Sequence, residues 1–281
     1  MFSCLLNVGL DLLFILGFNA GVFGAGLATI ISQFVSAVLC LAFALKKNPY
    51  FKIEKVHLHA DWNLIHRILK LGVPLSLQFS LIAISCMALQ KTVNSFEETA
   101  VTVFTTVSRI EQIIQQPYQT LSAALSTFCG QNWGAGEKKR VEQGFKTGMI
   151  IMVVFTLIMI PVIQLFGGVL VSLFVKSEET NVISMGQKAL RISSLFYLFL
   201  GVIYVVRGVL NGLGDASFAL LNGIVEVIGR FFVPLLLCFT LGIGVWGIWW
   251  SVGVVWFMSG ASAVVRYIVY RRSIWNKALV L

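Results

Sequence analysis

Two polar side chains, Asn7 and Asp11, lie in an apolar segment near the start of the chain. In an α-helix they share one face, one turn apart. The segment contains no basic residue that could neutralise the Asp11 carboxylate. A carboxylate among apolar groups is costly, and a bound proton or Na⁺ removes that cost. We therefore expect Asp11 to hold H⁺ or Na⁺, the alternative being a neutral carboxyl that serves helix packing.

Another acidic residue, Glu226, lies in an apolar segment near the end of the chain. Arg230 follows four residues later, on the same face of a helix, so the two side chains can form an ion pair. The pattern predicts a structural role for Glu226.

A third polar feature is a stripe along one face of a predicted helix at 100–127. Its members recur at intervals of three and four residues: Thr105, Ser108, Gln112, Gln115, Gln119, Ser122 and Ser126. Glu111 flanks the stripe. Such a face borders either a hydrated cavity or a polar seam with another helix, and the number of glutamines favours the cavity.

We predict that this cavity binds substrate. Its proposed lining consists of Gln78, Gln112, Gln115, Gln119, Tyr197 and Tyr204. The two tyrosines are seven residues apart and share a helix face, and aromatic faces attract lipophilic cations. Core packing is the alternative explanation for this pair.

The elements that carry these residues are predicted to be membrane-spanning helices. Hydrophobic residues make up 58% of the 281 positions and charged residues 12%, with a mean hydropathy of +0.88. Apolar stretches of about 20 residues match the hydrocarbon thickness of a bilayer. The predicted spans are 1–18, 22–45, 71–91, 100–127, 147–175, 189–207, 218–240 and 244–267. The expected fold is an all-α integral membrane protein with about eight transmembrane helices.

The distribution of basic residues predicts the orientation. Lys46, Lys47, Lys138, Lys139 and Arg140 are among the many that fall on one side, which is therefore cytoplasmic, as is the C-terminus. The net charge of +9 is explained by loops beside anionic lipid, so we expect no nucleic-acid partner. Nucleotide, zinc and catalytic-triad motifs are absent from the sequence, so we expect neither an enzyme nor a cofactor.

An internal repeat relates the two ends of the chain. Gly21-Val-Phe-Gly near the start resembles Gly244-Val-Trp-Gly near the end. If an insertion is allowed, Asn7-x-x-x-Asp11 aligns with Asn222-x-x-x-Glu226. The repeat predicts two lobes: residues 1–46 hold the last two helices of the first, 47–70 form a cytoplasmic linker, and 71–281 form a six-helix second lobe.

Several short motifs resemble the multidrug and toxic compound extrusion (MATE) family. The most specific is Gly-Gln-Asn-x-Gly-Ala-Gly at 130–136, and the others are Leu-Gly-Val-Pro at 71–74 and Arg-Gly-x-x-x-Gly-x-Gly-Asp at 207–215. The signature residues are Pro74, Gln131, Asn132, Gly134, Ala135, Gly136, Arg207, Gly208 and Gly214. The resemblance covers essentially the whole chain, as spans five to twelve of a twelve-span family.

This resemblance implies a secondary antiporter of the prokaryotic cytoplasmic membrane, monomeric at full length. It would export lipophilic or cationic drugs in exchange for H⁺ or Na⁺. Many family members bind the coupling ion in the first lobe, and Asn7, Asp11 and Thr29 match three of those ligands in type and spacing. A Na⁺ ion at Asp11 is the one metal that this implies.

Two rival functions remain at this stage. A flippase for lipid-linked saccharides resembles the same superfamily, but it would need a larger and more basic cavity. An inactive, truncated membrane protein would tolerate the loss of both Asp11 and the polar stripe.

Overall fold

The structure is a computed structural model that describes residues 2–47, 60–176 and 178–277. The chain divides into two compact units, Met1–Trp62 and Asn63–Leu281. Half of the predicted linker, residues 48–59, lies outside the described residues. A helix begins at Trp62, so the last part of that predicted linker, 62–70, is helical.

The first unit is a helical hairpin. It consists of α1 (Phe2–Leu12), a π-helical turn (Leu13–Gly17) and α2 (Gly21–Lys47). The π-helical turn closes with the Phe18 N–H donating to the Leu13 carbonyl at 3.0 Å. The chain then reverses through Asn19 and Gly21, whose φ angles are +50° and +52°. Because few residues adopt positive φ easily, these positions fix where the hairpin turns.

The second unit is a helical bundle. Its helices are α3 (Trp62–Val93), α4 (Glu98–Gly134), α5 (Lys138–Ser172), α6 (Thr180–Ser194), α7 (Tyr197–Gly212), α8 (Ala216–Leu235) and α9 (Trp246–Lys277). A second π-helical turn, Leu236–Thr240, extends α8. Helix α7 is central because α4, α5, α8 and α9 all pack against it.

All eight predicted spans coincide with helical segments. Five helices of the described chain are long and apolar enough to cross a membrane: α2, α3, α5, α8 with its π-helical turn, and α9. The α6–α7 pair makes a sixth if it counts as one bent span. Of the other two, α1 with its π-helical turn is short, and α4 is less apolar because it carries the polar stripe. The all-α membrane fold is therefore confirmed.

The sixth span was expected to be one helix at 189–207, and this expectation is wrong. Helices α6 and α7 meet at a 52° bend. At the bend the N–H of Phe196 donates to the carbonyl of Ser193, three residues earlier, at 3.0 Å. This is the bond of a 3₁₀ turn, which is wound more tightly than an α-helical turn. The Phe196 ring packs edge-on against Trp250 and occupies the space that a side chain at Gly253 would fill. Aromatic packing therefore accompanies this break, which contains neither Pro nor Gly.

The structure contains the internal repeat, with a constant offset along the sequence. The π-helical turns begin at Leu13 and Leu236, and positive φ angles recur with the same offset at Gly21 and Gly244. In each copy a glycine, Gly24 or Gly247, packs against the π-helical turn, where an added Cβ would meet backbone or side-chain atoms at 2.9 Å.

This offset leaves no room for the insertion that aligned the two polar motifs. When Leu13 is matched with Leu236, Asn7 corresponds to Arg230 and Asp11 to Pro234. The proposed equivalence of Asn7 with Asn222, and of Asp11 with Glu226, is therefore wrong. The repeated feature is the turn with its close-packed glycine, and the polar residues differ between the copies.

Candidate functional site: two polar centres

The first polar centre lies in the helical hairpin and is formed by Asn7, Asp11 and Thr29. The Asn7 side-chain amide donates to the Thr29 hydroxyl at 3.5 Å, which joins α1 to α2. The Thr29 hydroxyl in turn donates to the Ala25 carbonyl at 3.0 Å. Asp11 is one turn after Asn7 on α1, and only Leu12 separates it from the π-helical turn. The structure therefore brings together the two neutral ligands that the sequence predicts.

Asp11 is the unsatisfied member of this centre. Its Oδ1 atom is buried and has no hydrogen-bond partner in the described part of the chain. The basic residues of α2, Lys46 and Lys47, are in its last turn, and no ion pair involves Asp11 within the described ranges. A buried carboxyl oxygen without a donor is costly. The centre has the chemistry of a site for a proton or a small cation.

The second polar centre lies in the bundle and is built around Glu226. Arg207 of α7 donates to one carboxylate oxygen of Glu226 at 2.8 Å, and Arg230 is 3.5 Å from the other. The side chain of Glu226 is only 6% exposed. The predicted pair with Arg230 is confirmed, and Arg207 is a second partner that the sequence reasoning missed.

Neutral groups complete this second centre. Arg207 also donates to the Oδ1 atom of Asn222, and the Asn222 amide donates to the Ser259 hydroxyl of α9 at 2.8 Å. Arg230 reaches α3, where it contacts the hydroxyl of Ser85 at 3.3 Å. The network thus joins α3, α7, α8 and α9 around one carboxylate. Its arginines occupy the position that a mobile cation would need.

The residues proposed to line a substrate cavity fall into two groups. Gln112 and Gln119 are exposed, and Gln115 accepts a hydrogen bond of 3.3 Å from the Tyr204 hydroxyl. Tyr204 also stacks on Tyr118, with ring centroids 6.2 Å apart.

Gln78 and Tyr197 differ because each is only 1% exposed. Tyr197 belongs to the hydrophobic core, where its ring lies 6.2 Å from that of Trp256. Gln78 lies where α3 contacts Gly223 of α8. The described structure therefore places these two inside helix contacts, and an exposed cavity surface would draw on the other four residues.

Comparison with known proteins identifies the family. The family model MatE matches residues 74–235. The chain belongs to this family.

Among MATE relatives, the Bacillus subtilis protein YpnP, named a probable multidrug resistance protein, is 32% identical over 98% of this chain and 60% of its own length. The multidrug export protein MepA of Staphylococcus saprophyticus is 22% identical over 99% of this chain and 61% of its own. The chain therefore spans about 60% of the length of these relatives.

Solved structures of transporters share the fold. A MOP superfamily transporter from Pyrococcus furiosus is 25% identical and superimposes with a TM-score of 0.86, over 97% of this chain and 61% of that one. An outward-facing MATE family multidrug resistance transporter, 23% identical, gives a TM-score of 0.87 over 98% of this chain and 61% of that one.

Two MATE signature motifs form equivalent helix ends. In the first, Gly136 has a φ of +78°, its N–H donates to the Trp133 carbonyl, and the next N–H donates to the Asn132 carbonyl at 2.8 Å. In the second, Gly214 has a φ of +81° with the same pair of bonds, to Asn211 and Leu210. This Schellman geometry satisfies the last carbonyls of α4 and α7, and a glycine suits its positive φ.

Other signature residues set how closely α7 approaches α4. A Cβ on Gly208 would be 2.5 Å from the Ser122 carbonyl oxygen, and one on Gly212 would be 2.5 Å from that of Ser126. The C-terminal end of the polar stripe, at Ser122 and Ser126, is therefore in close contact with α7, whereas Gln112 and Gln119 remain exposed. Pro74 lies within the continuous helix α3.

The surroundings of two further charged groups were not predicted from the sequence. Asp215 caps α8 and binds Arg266 of α9 through two hydrogen bonds of 2.7 and 3.0 Å. Glu111 lies on the buried face of α4, where Oε1 has no partner in the described part of the chain. Glu111 is spaced so that Val107, Ile114 and Tyr118 share its helix face, and this pattern could have predicted that it is partly buried.

Proposed function

We propose that the protein is a secondary antiporter that exports lipophilic or cationic small molecules in exchange for H⁺ or Na⁺. The observation that carries this proposal is the buried, unpartnered Oδ1 atom of Asp11 beside the Asn7–Thr29 contact. Membership of the MATE family supports it, as do the names of relatives described as multidrug resistance and export proteins.

The coupling ion binds at Asp11, with Asn7 and Thr29 as neutral ligands. A proton or Na⁺ removes the electrostatic cost of a buried carboxylate. Coupling requires that the ion bind the two access states with different affinity. Only Leu12 separates Asp11 from a π-helical turn, an element in which the regular hydrogen-bond ladder is interrupted. Ion binding therefore acts on the helix where its backbone is least regular.

The substrate contacts the polar stripe of α4. The exposed amides of Gln112 and Gln119 offer hydrogen bonds, and the Tyr204 ring, fixed by Gln115 and Tyr118, offers an aromatic surface for a lipophilic cation. The protein acts as a monomer in a prokaryotic cytoplasmic membrane, with its C-terminus on the cytoplasmic side.

Ion binding by the purified chain tests the site directly. Wild-type protein in detergent should bind ²²Na⁺, or release protons when Na⁺ is added, whereas Asp11→Asn should do neither. Glu98→Gln is the matched control because Glu98 is an exposed carboxylate in the first turn of α4. Asp11→Asn protein that binds Na⁺ and protons as the wild type does would refute the site.

Flux in vesicles tests the transport proposal. A lipophilic cation should stimulate H⁺ or Na⁺ movement in vesicles that contain the wild type, and Asp11→Asn should abolish the stimulation without lowering the amount of protein in the membrane. Ion binding without any drug-stimulated flux would contradict antiport. Translocation of a lipid-linked saccharide in the same vesicles would favour the flippase.

A further inference from the structure

Glu111 is a carboxyl at the border between the polar stripe of α4 and the apolar face beside it. Val107, Ile114 and Tyr118 share this face of α4 and are 2%, 6% and 1% exposed. The Oε1 atom of Glu111 is buried and makes no hydrogen bond in the described chain. A charged carboxylate on such a face is costly. An ionisable residue at such a position is therefore a candidate functional group.

Two other hydroxyl groups near Glu111 also lack partners. Ser193, 0% exposed on α6, interacts with the Glu111 carboxyl, but its Oγ atom has no hydrogen bond of ordinary distance and angle within the described residues. Tyr197 on α7 is another electrostatic neighbour of Glu111, and its hydroxyl is likewise unpartnered there. Ser193 and Tyr197 flank the bend between α6 and α7. Three unsatisfied oxygen atoms from three helices therefore converge at this bend.

The charges around Glu111 leave room for two protonation states. Arg230 of α8 attracts the carboxyl at longer range, but it already contacts Glu226 and Ser85. Arg207 is also bound to Glu226. These two arginines and Glu226 carry a net charge of +1, which an ionised Glu111 would cancel and a neutral one would leave in place. Titration of Glu111 therefore changes the charge of the whole cluster.

We propose that Glu111 is a second proton-binding site, located in the bundle and independent of Asp11. The site takes up and releases one proton at the Glu111 carboxyl. In its neutral form the carboxyl can donate its O–H to the Ser193 or Tyr197 hydroxyl, which satisfies two of the three oxygen atoms at once.

Loss of the proton places a charge against the α6–α7 bend. The carboxylate must then approach Arg230 or admit water, and either change acts on the two residues that flank the bend. The 52° bend between α6 and α7 is therefore the element whose position this proton controls. The site does not require the proposed ion site at Asp11, since its residues belong to the other unit.

Infrared spectroscopy of the purified chain tests the proposal. The readout is the carbonyl stretching band of a protonated carboxyl, followed from about pH 6 to alkaline pH, a range in which exposed carboxyls with an ordinary pKa of about 4 are already ionised. All variants carry Asp11→Asn so that Asp11 cannot contribute. Glu98→Gln is the matched control, because it removes an exposed carboxylate from the same helix, and Glu111→Asp keeps a carboxyl at the site.

The expected result is a band present at about pH 6 and lost at alkaline pH in the Asp11→Asn protein. Adding Glu111→Gln should abolish it, Glu98→Gln should leave it unchanged, and Glu111→Asp should keep it at a shifted frequency. A band unaffected by Glu111→Gln overturns the proposal, as does the lack of any band at every pH. Circular dichroism checks that each variant is folded.

Discussion

The two polar centres of the molecule each place a carboxylate on a helix that continues into a π-helical turn, but the partners of the two carboxylates differ. In the hairpin, Asp11 has an amide and a hydroxyl nearby, and its buried oxygen has no donor among the described residues. In the bundle, Glu226 is bound by Arg207 and is 3.5 Å from Arg230. A carboxylate with permanent cations has no need of a mobile one, whereas we propose that Asp11 binds one. The two centres thus differ as an ion-paired carboxylate and an unpaired one, and the unpaired one is the ion site that we propose.

The repeat explains how the difference arises. When the two π-helical turns are matched, Arg230 occupies the position that Asn7 has in the hairpin. The carboxylates themselves are not equivalent, since Asp11 matches Pro234 and Glu226 matches Ser3, so the copies differ both in where the carboxylate lies and in whether an arginine accompanies it.

The largest expected effect comes from removing the carboxylate of the structural centre. Glu226→Gln leaves two arginines without their buried partner and should lower the free energy of unfolding by about 3–5 kcal/mol. Asp11→Asn should change it by less than about 0.5 kcal/mol, since it breaks no ion pair in the described chain. Thermal or denaturant unfolding in detergent compares the two variants. Equal losses would mean that the two centres do not differ as described.

The next effect concerns the helix contact that positions Arg207. Gly212→Ala places a Cβ 2.5 Å from the Ser126 carbonyl oxygen, so α7 must move away from α4, at a cost of about 1–3 kcal/mol. Gly134→Ala is the matched control because its Cβ meets nothing within 4 Å. The same unfolding assay measures both. A stable Gly212→Ala protein would show that the close seam contributes little to the structural centre.

Exchanging the equivalent residues should convert one centre toward the other. Asn7→Arg introduces a cation one turn from Asp11, as Arg230 is one turn from Glu226. We expect Na⁺ or proton binding to weaken at least about tenfold, or by about 1.4 kcal/mol. Asn7→Gln keeps the amide and controls for side-chain length. Undiminished ion binding in the Asn7→Arg protein would show that Asp11 is not the ion site.

The smallest effect is expected from Thr29→Val, which removes the partner of the Asn7 amide. The lost hydrogen bond is worth about 0.5–1.5 kcal/mol, so ion affinity should fall about two- to tenfold while the fold is unchanged. Thr105→Val is the control, because Thr105 makes the same bond to a carbonyl four residues earlier in its own helix. Titration with ²²Na⁺ measures both variants. If both lower the affinity equally, the Asn7–Thr29 contact is not part of the site.

The sequence predicted the helices well because each is an apolar stretch of membrane length or a polar stripe with helical spacing. It also predicted the Glu226–Arg230 pair, which needs only a spacing of four residues. The bend at Phe196 was not predicted, because it accompanies packing against Trp250 and Gly253, far away in the sequence.

Long-range partners were missed for the same reason. Arg207 reaches Glu226 across two helices, and Arg266 reaches Asp215 from α9. No local spacing encodes these contacts. The alignment of Asn7 with Asn222 failed because similar residues were matched, whereas the structure shows that the repeat preserves the turn.

The π-helical turn at Leu13–Gly17 has a consequence for the direction in which Asp11 points. Each residue advances an α-helix by about 100°. One residue more or fewer in the π-helical turn therefore rotates α1, which carries Asp11, by about that angle relative to the part of the hairpin that follows the turn. Deleting one residue from this turn would aim the carboxyl toward a different side of the hairpin while leaving its chemistry intact. The direction in which the proposed ion site at Asp11 faces is thus set by the number of residues in this turn as well as by side-chain type.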